Sequence, residues 1–146
     1  MQTFYRPFAW LFALFIAAGA TVPAAGVEPF PFGSELILDA SPSPGSKRVP
    51  MLEIEDDGSA SIDLWCTSLR GQATVTDDSI TIVPGAPISL VPGQQADAVA
   101  AQCQPDRQAD DAALISALTQ ATKWRRNGDV IELSGATTLR YRLMTN

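Results

Sequence analysis

The sequence predicts an α+β fold: a curved antiparallel β-sheet of about eight strands with one α-helix late in the chain. Three observations carry that expectation. Short runs of alternating apolar and polar residues recur along the chain, Pro, Gly, Asn and Asp punctuate them, and a single segment switches to helical spacing. At 146 residues, 46% hydrophobic and 18% charged, with 11 prolines and 10 glycines, the chain has the makeup of one folded, turn-rich domain.

The first strand is expected over residues 35–40, where Leu36 and Leu38 flank Ile37. Ser41-Pro42-Ser43-Pro44-Gly45-Ser46 ends it, because prolines without N–H donors cannot continue a ladder. Leu52 and Ile54, the turn Asp56-Asp57-Gly58, then Ile62 and Leu64 read as a hairpin with one buried face. A second hairpin joins residues 72–75 to 80–83 through Thr76-Asp77-Asp78-Ser79. Beyond Pro84 the alternation degrades, and Pro84-Gly85-Ala86-Pro87 and Pro92-Gly93-Gln94-Gln95 bracket a short edge strand or a lid-like loop at 88–91.

Leu114, Ile115, Leu118 and Ala121 recur at helical spacing, which predicts a helix over 110–121, with Pro105 as an earlier possible start. Asp106, Asp110 and Asp111 gather near its beginning, where acids favour the positive end of the helix dipole. Strands return at 123–126, at 130–133 after the turn Asn127-Gly128, and at 138–143, where Leu139, Tyr141 and Leu143 alternate with Arg140 and Arg142.

The N-terminus reads as a secretory signal peptide over residues 1–24. Arg6 precedes an unbroken apolar run from Phe8 to Ala18, and small residues follow. That run falls short of the roughly 20 residues a permanent bilayer anchor needs, so cleavage is preferred to anchoring. Cleavage sites with small residues lie after Ala20 and after Ala24, and the second is favoured. The mature protein is expected to be exported, periplasmic or secreted, with no stable membrane anchor. Residues 25–34 form an extended lead-in and 35–146 the domain.

An oxidising compartment gives the two cysteines a partner in each other, so Cys66 and Cys103 are expected to form a disulfide. The net charge of −6 argues against nucleic acid, which requires a basic footprint. Basic residues nevertheless concentrate late in the chain, and Lys123, Arg125, Arg140 and Arg142 mark a candidate interaction surface, unless neighbouring acids neutralise them.

The absence of histidine removes Ser-His-Asp and Cys-His catalysis and His-ligated zinc. Asp56-Asp57, Asp77-Asp78 and Asp110-Asp111 are paired carboxylates, but they occupy turns and a helix start, where backbone capping explains them. Glu53, Glu55 and Asp63 could be a carboxylate cluster or the solvated face of a hairpin, and alternation favours the second. No catalytic, metal or cofactor-binding residue is therefore assigned.

Several landmarks occur in a familiar order. They are Cys66-Thr67-Ser68-Leu69-Arg70-Gly71, then Cys103, the helix containing Asp110-Asp111-Ala112-Ala113-Leu114-Ile115, Trp124 ahead of Gly128-Asp129-Val130-Ile131-Glu132-Leu133, and Thr138-Leu139-Arg140-Tyr141-Arg142-Leu143. In these the chain resembles the META domain family, which includes small heat-inducible envelope proteins of bacteria. Thr67 stands where the family usually has Asn, and 84–93 looks like added material. The resemblance implies an α+β domain with a curved antiparallel sheet, no cofactor, no known enzymatic activity and a link to stress tolerance in the envelope.

The function expected on these grounds is that of a non-enzymatic exported protein binding another protein or an envelope component. Its contact surface would involve 84–95 or the basic strands. The alternatives are a proteinase inhibitor using the lead-in Val27-Glu28-Pro29-Phe30-Pro31-Phe32 as an inserted arm, and a small apolar-ligand binder lined by Trp65, Trp124 and Tyr141.

Overall fold

The computed structural model describes residues 28–41, 48–89 and 92–144. The expected signal peptide, its cleavage sites and most of the Pro-rich loop after residue 41 lie outside them. Eight strands and two helices follow in order: β1 Leu36–Leu38, β2 Met51–Ile54, β3 Ser59–Asp63, β4 Ser68–Val75, β5 Ile80–Ile88, α1 Ala96–Ala101, α2 Pro105–Gln120, β6 Lys123–Asn127, β7 Val130–Ser134 and β8 Thr138–Leu143.

All strands join one antiparallel sheet in the order β5-β4-β3-β2-β1-β8-β7-β6, curled into a half-barrel. Two meanders, β2–β5 and β6–β8, are thus joined through β1, which pairs Leu36 with both Leu52 and Leu143. The outer strands β5 and β6 meet at one end. There Ile80 N–H donates to the Thr122 carbonyl at 3.1 Å, and Trp124 N–H to the Asp78 carbonyl at 3.3 Å.

Alternation explains which side of each strand is buried. Leu36, Leu52, Ile54, Ile62, Ile80, Ile82, Ile131, Leu133 and Tyr141 fill the concave side, where Leu114 and Leu118 of α2 join them. Helix α2 starts at Pro105, where a residue lacking an N–H costs no helical hydrogen bond, and it ends where Ala121 N–H returns to the Leu118 carbonyl.

Four local expectations are corrected. First, β5 does not stop at Val83 but runs through Pro84 and Pro87 to Ile88. Prolines are tolerated there because β5 is an edge strand, and the register shifts between Leu69 and Gly71 opposite them. Gly85 is required at this crossing, since a Cβ on it would lie 2.3 Å from the Arg70 carbonyl oxygen.

Second, β4 begins at Ser68, ahead of the alternating stretch at 72–75. Third, a short helix, α1, occupies part of the segment between β5 and α2, where no helical spacing of large apolar residues signals one. Fourth, Asn127 belongs to β6, and Gly128-Asp129 makes the turn. Gly128 has φ +61° and Asp129 a negative φ, which fits a type II′ hairpin rather than the Asn-Gly type I′ turn.

The described part of the lead-in, residues 28–34, packs against the sheet. Phe30 is buried, edge-on to Trp124 at a centroid distance of 5.1 Å, and Gly33 N–H donates to the Ile54 carbonyl at 2.8 Å. Arg126 Nη1 reaches the Pro29 carbonyl at 3.2 Å, while Gly128 N–H donates to Glu28 Oε2 at 2.7 Å. Phe30→Ala should therefore lower unfolding stability by about 3–5 kcal/mol in urea titrations, the cost of truncating a buried aromatic ring. A loss below about 1 kcal/mol would mean that the lead-in lies outside the core.

Candidate functional site

The turn between β3 and β4 is held from outside the sheet. Asp111, one turn and a half into α2, is buried, and its carboxylate faces Trp65, Cys66 and Thr67. Oδ1 accepts Trp65 N–H at 2.8 Å, Oδ2 accepts Cys66 N–H at 3.2 Å and Thr67 N–H at 3.2 Å, and the Thr67 hydroxyl adds a bond at 3.1 Å. A turn whose N–H groups all point one way is an anion nest, and here the anion is a side chain of the same protein. Burial pushes the Asp111 carboxyl above its ordinary range, against the pull of the hydrogen bonds from Thr67, Cys66 and Trp65.

Beside this nest the Cys66–Cys103 disulfide joins the turn to the segment between α1 and α2, with Cα atoms 5.8 Å apart. A shallow cavity of about 390 Å3 lies next to it, lined by Cys66, Thr67, Ala101, Gln108, Asp111 and Ile115. Sequence reasoning placed Asp111 among the acids that serve the helix dipole and missed this role. A residue at helical spacing from Leu114 and Leu118 was the available signal, because that spacing turns position 111 toward the core with them.

A second concavity opens where β5 and β6 part. Beyond the isolated bridge of Ser79 with Lys123 no ladder continues, and the Trp124 indole N–H donates to the Thr76 carbonyl at 2.7 Å, so the β4–β5 turn is tied to β6 through a side chain rather than by strand pairing. The groove that results has a volume of about 730 Å3. Phe30, Phe32, Val75 and Trp124 line it, with Asp77, Asp78 and Arg126 among its polar wall residues. Phe32 stacks obliquely on Phe30 at 5.0 Å and is 38% exposed, one of few large apolar side chains among the described residues that face solvent. Trp124 N–H points away from β7, so the main chain of Arg126, two residues on, is presented to the same side.

The basic residues lie on the outer face, each within reach of an acid. Lys123 Nζ is 2.8 Å from Asp78, Arg142 is 3.3 Å from Asp39, and Arg140 and Arg125 share Glu132, with Arg140 at 3.4 Å. They are brought together on β6 and β8, but as ion pairs. Of the aromatics considered for a ligand cavity, Trp124 and Tyr141 are buried in the core, where burial pushes the Tyr141 phenol far up. Trp65 is half-buried, and its Nε1 is buried without a hydrogen-bond partner.

Of the remaining acids, Glu53 lies beside Glu55 and Glu35. Asp63 sits 3.5 Å from Arg48, and Asp57 accepts Ser59 N–H at 2.8 Å, a bond that lowers its pKa. Burial, then the like charges of Glu55 and Glu35, raise that of Glu53. Among the described residues no group of three or more Cys, Asp or Glu side chains is arranged to hold a metal ion. Nor is any helix among them long and apolar enough to cross a membrane.

Asp111→Asn should cost about 1–3 kcal/mol at neutral pH, because its amide N–H2 would oppose backbone donors that now meet a carboxylate oxygen. The pH dependence has a defined sign. A raised carboxyl pKa means that the folded state binds the proton more tightly, so this contribution to stability is complete below the unfolded value near 3.8 and is lost as pH rises through the folded value. The stability advantage of the wild type over Asp111→Asn should therefore widen on acidification, as urea titrations across that range would read. A narrowing would contradict the assignment.

A family model described as the META domain matches residues 34–146. An NMR structure of a protein from Burkholderia xenovorans is similar in fold, with a TM-score of 0.55 at 16% identity, over 87% of this chain and 99% of that one. A second NMR structure gives a TM-score of 0.53 at 16% identity, over 75% of this chain and 88% of the other. No curated protein matches the chain. The family model takes in every strand and both helices, and the chain belongs to the META domain family.

Proposed function

We propose that the protein is an exported, non-enzymatic binding domain that takes an extended segment of another exported protein into the groove between the β4–β5 turn and β6. The observation that carries the reading is Phe32, whose half-exposed ring extends the buried Phe30–Trp124 contact into that groove. An extended segment could hydrogen-bond to the outward main chain of β6 and set an apolar side chain on the aromatic floor, the usual mode of strand addition. The ion-paired outer face offers less, since Arg125 and Arg140 already share Glu132.

The two alternatives have less support. With Phe30 buried, the lead-in is not free to act as the inserted arm of a proteinase inhibitor. With Trp124 and Tyr141 packed in the core, two of the three aromatics proposed for an apolar cavity are already committed. A stress-related setting rests on the family likeness alone.

A photocrosslinking residue placed at position 32 of the exported protein should capture a discrete partner in envelope fractions, whereas the same residue at position 140 should not. Capture at 140 and not at 32 would move the contact to the basic strands. Export itself is tested by sequencing the mature N-terminus, which should begin at Ala25. A chain that retains residues 1–24 would contradict the signal-peptide reading.

A further inference from the structure

We infer that the Cys66–Cys103 disulfide is a releasable tether for the 92–104 segment rather than the staple of the fold. The inference is independent of the groove. From Val83 to Asp110 none of the described residues whose side chains are placed is buried, whereas residues on both sides of this stretch, Ile82 and Asp111, are. Helix α1 has six residues, and Ala98 and Ala101 within it are exposed. The segment thus contributes no described side chain to the core, and it is covalently fixed where Cys103 meets Cys66.

The other end of that bond has its own anchor. The main-chain N–H groups of Trp65, Cys66 and Thr67 are held by the Asp111 carboxylate, and α2 is fixed by the buried Leu114 and Leu118. Breaking the disulfide leaves these contacts in place. The 65–67 turn stays on α2, and what is freed is the segment carrying α1. Because Ala101 walls the 390 Å3 cavity beside Asp111, release also widens access to Thr67, Asp111 and Ile115.

The chemistry is thiol–disulfide exchange with a dithiol reductant. One thiolate of the dithiol attacks Sγ of Cys103, the more exposed of the two cysteines, and the S–S bond breaks with Cys66 leaving as a thiolate that takes up a proton. The second thiol of the reductant then attacks the mixed disulfide, Cys103 leaves and is protonated, and the reductant ends as a disulfide. Two electrons and two protons pass to the protein.

The test compares the oxidised mature protein with the same protein reduced by dithiothreitol, using short hydrogen-exchange pulses resolved by peptide. Amides in 92–104 should exchange at least about tenfold faster after reduction, while those of β2, β3, β7 and β8 stay protected. Reoxidation should restore the original pattern, and a Cys66→Ser/Cys103→Ser double variant should reproduce the reduced one without reductant. Loss of protection throughout the sheet would make the bond a fold-wide staple and overturn the inference. Unchanged exchange in 92–104 would overturn it as well.

Discussion

The sheet is continuous because of three residues. Strand β1, Leu36–Leu38, has β2 on one side and β8 on the other, and without it the two meanders would be separate ribbons. Small isolated sheets are marginal in water, so the curl that produces a common concave core depends on this double pairing. Leu36 is fully buried where the pairings converge, facing Leu52 in one ladder and Leu143 in the other. The lead-in extends the same join, for Phe30 brings the start of the described chain against Trp124.

On that frame, α2 does two jobs with different faces. Leu114 and Leu118 complete the core, while Asp111 reaches the β3–β4 turn, whose backbone donors point away from a ladder. A buried carboxylate is expensive to desolvate, and the nest of N–H groups offsets part of that cost. The carboxylate is therefore engaged in holding the β3–β4 turn on α2. The basic strands show the same economy, with arginines matched to Glu132 and Asp39.

Much of this was legible in the sequence because antiparallel strands with one wet face announce themselves by alternation. β2, β3, β7 and β8 carry Ala, Ile, Leu or Tyr at every second position, and the structure buries or half-buries them. The signal failed where tertiary position overrides local pattern. Pro84 and Pro87 argue against a strand everywhere except on an edge, and sequence does not reveal which strand is an edge. Helix α1 lacks an apolar stripe. Asp111 looked like its neighbours Asp106 and Asp110, since polarity is visible in a sequence and direction is not. The groove at Phe32 depends on where β5 and β6 diverge, a long-range property of the closed end.

The pairing of β1 with β8 also sets an order on assembly. Leu36 and its partner Leu143 lie near opposite ends of the described chain, and Phe30 and Trp124 are likewise far apart in sequence. Contacts of such long sequence separation slow folding, because the entropy of closing the intervening loop must be lost before they form. A nascent chain that lacks residues 138–143 has β1 with one neighbour and no closed sheet to join. The polypeptide consequently stays open until β8 has been made, and it gains its common core when β1 and β8 meet.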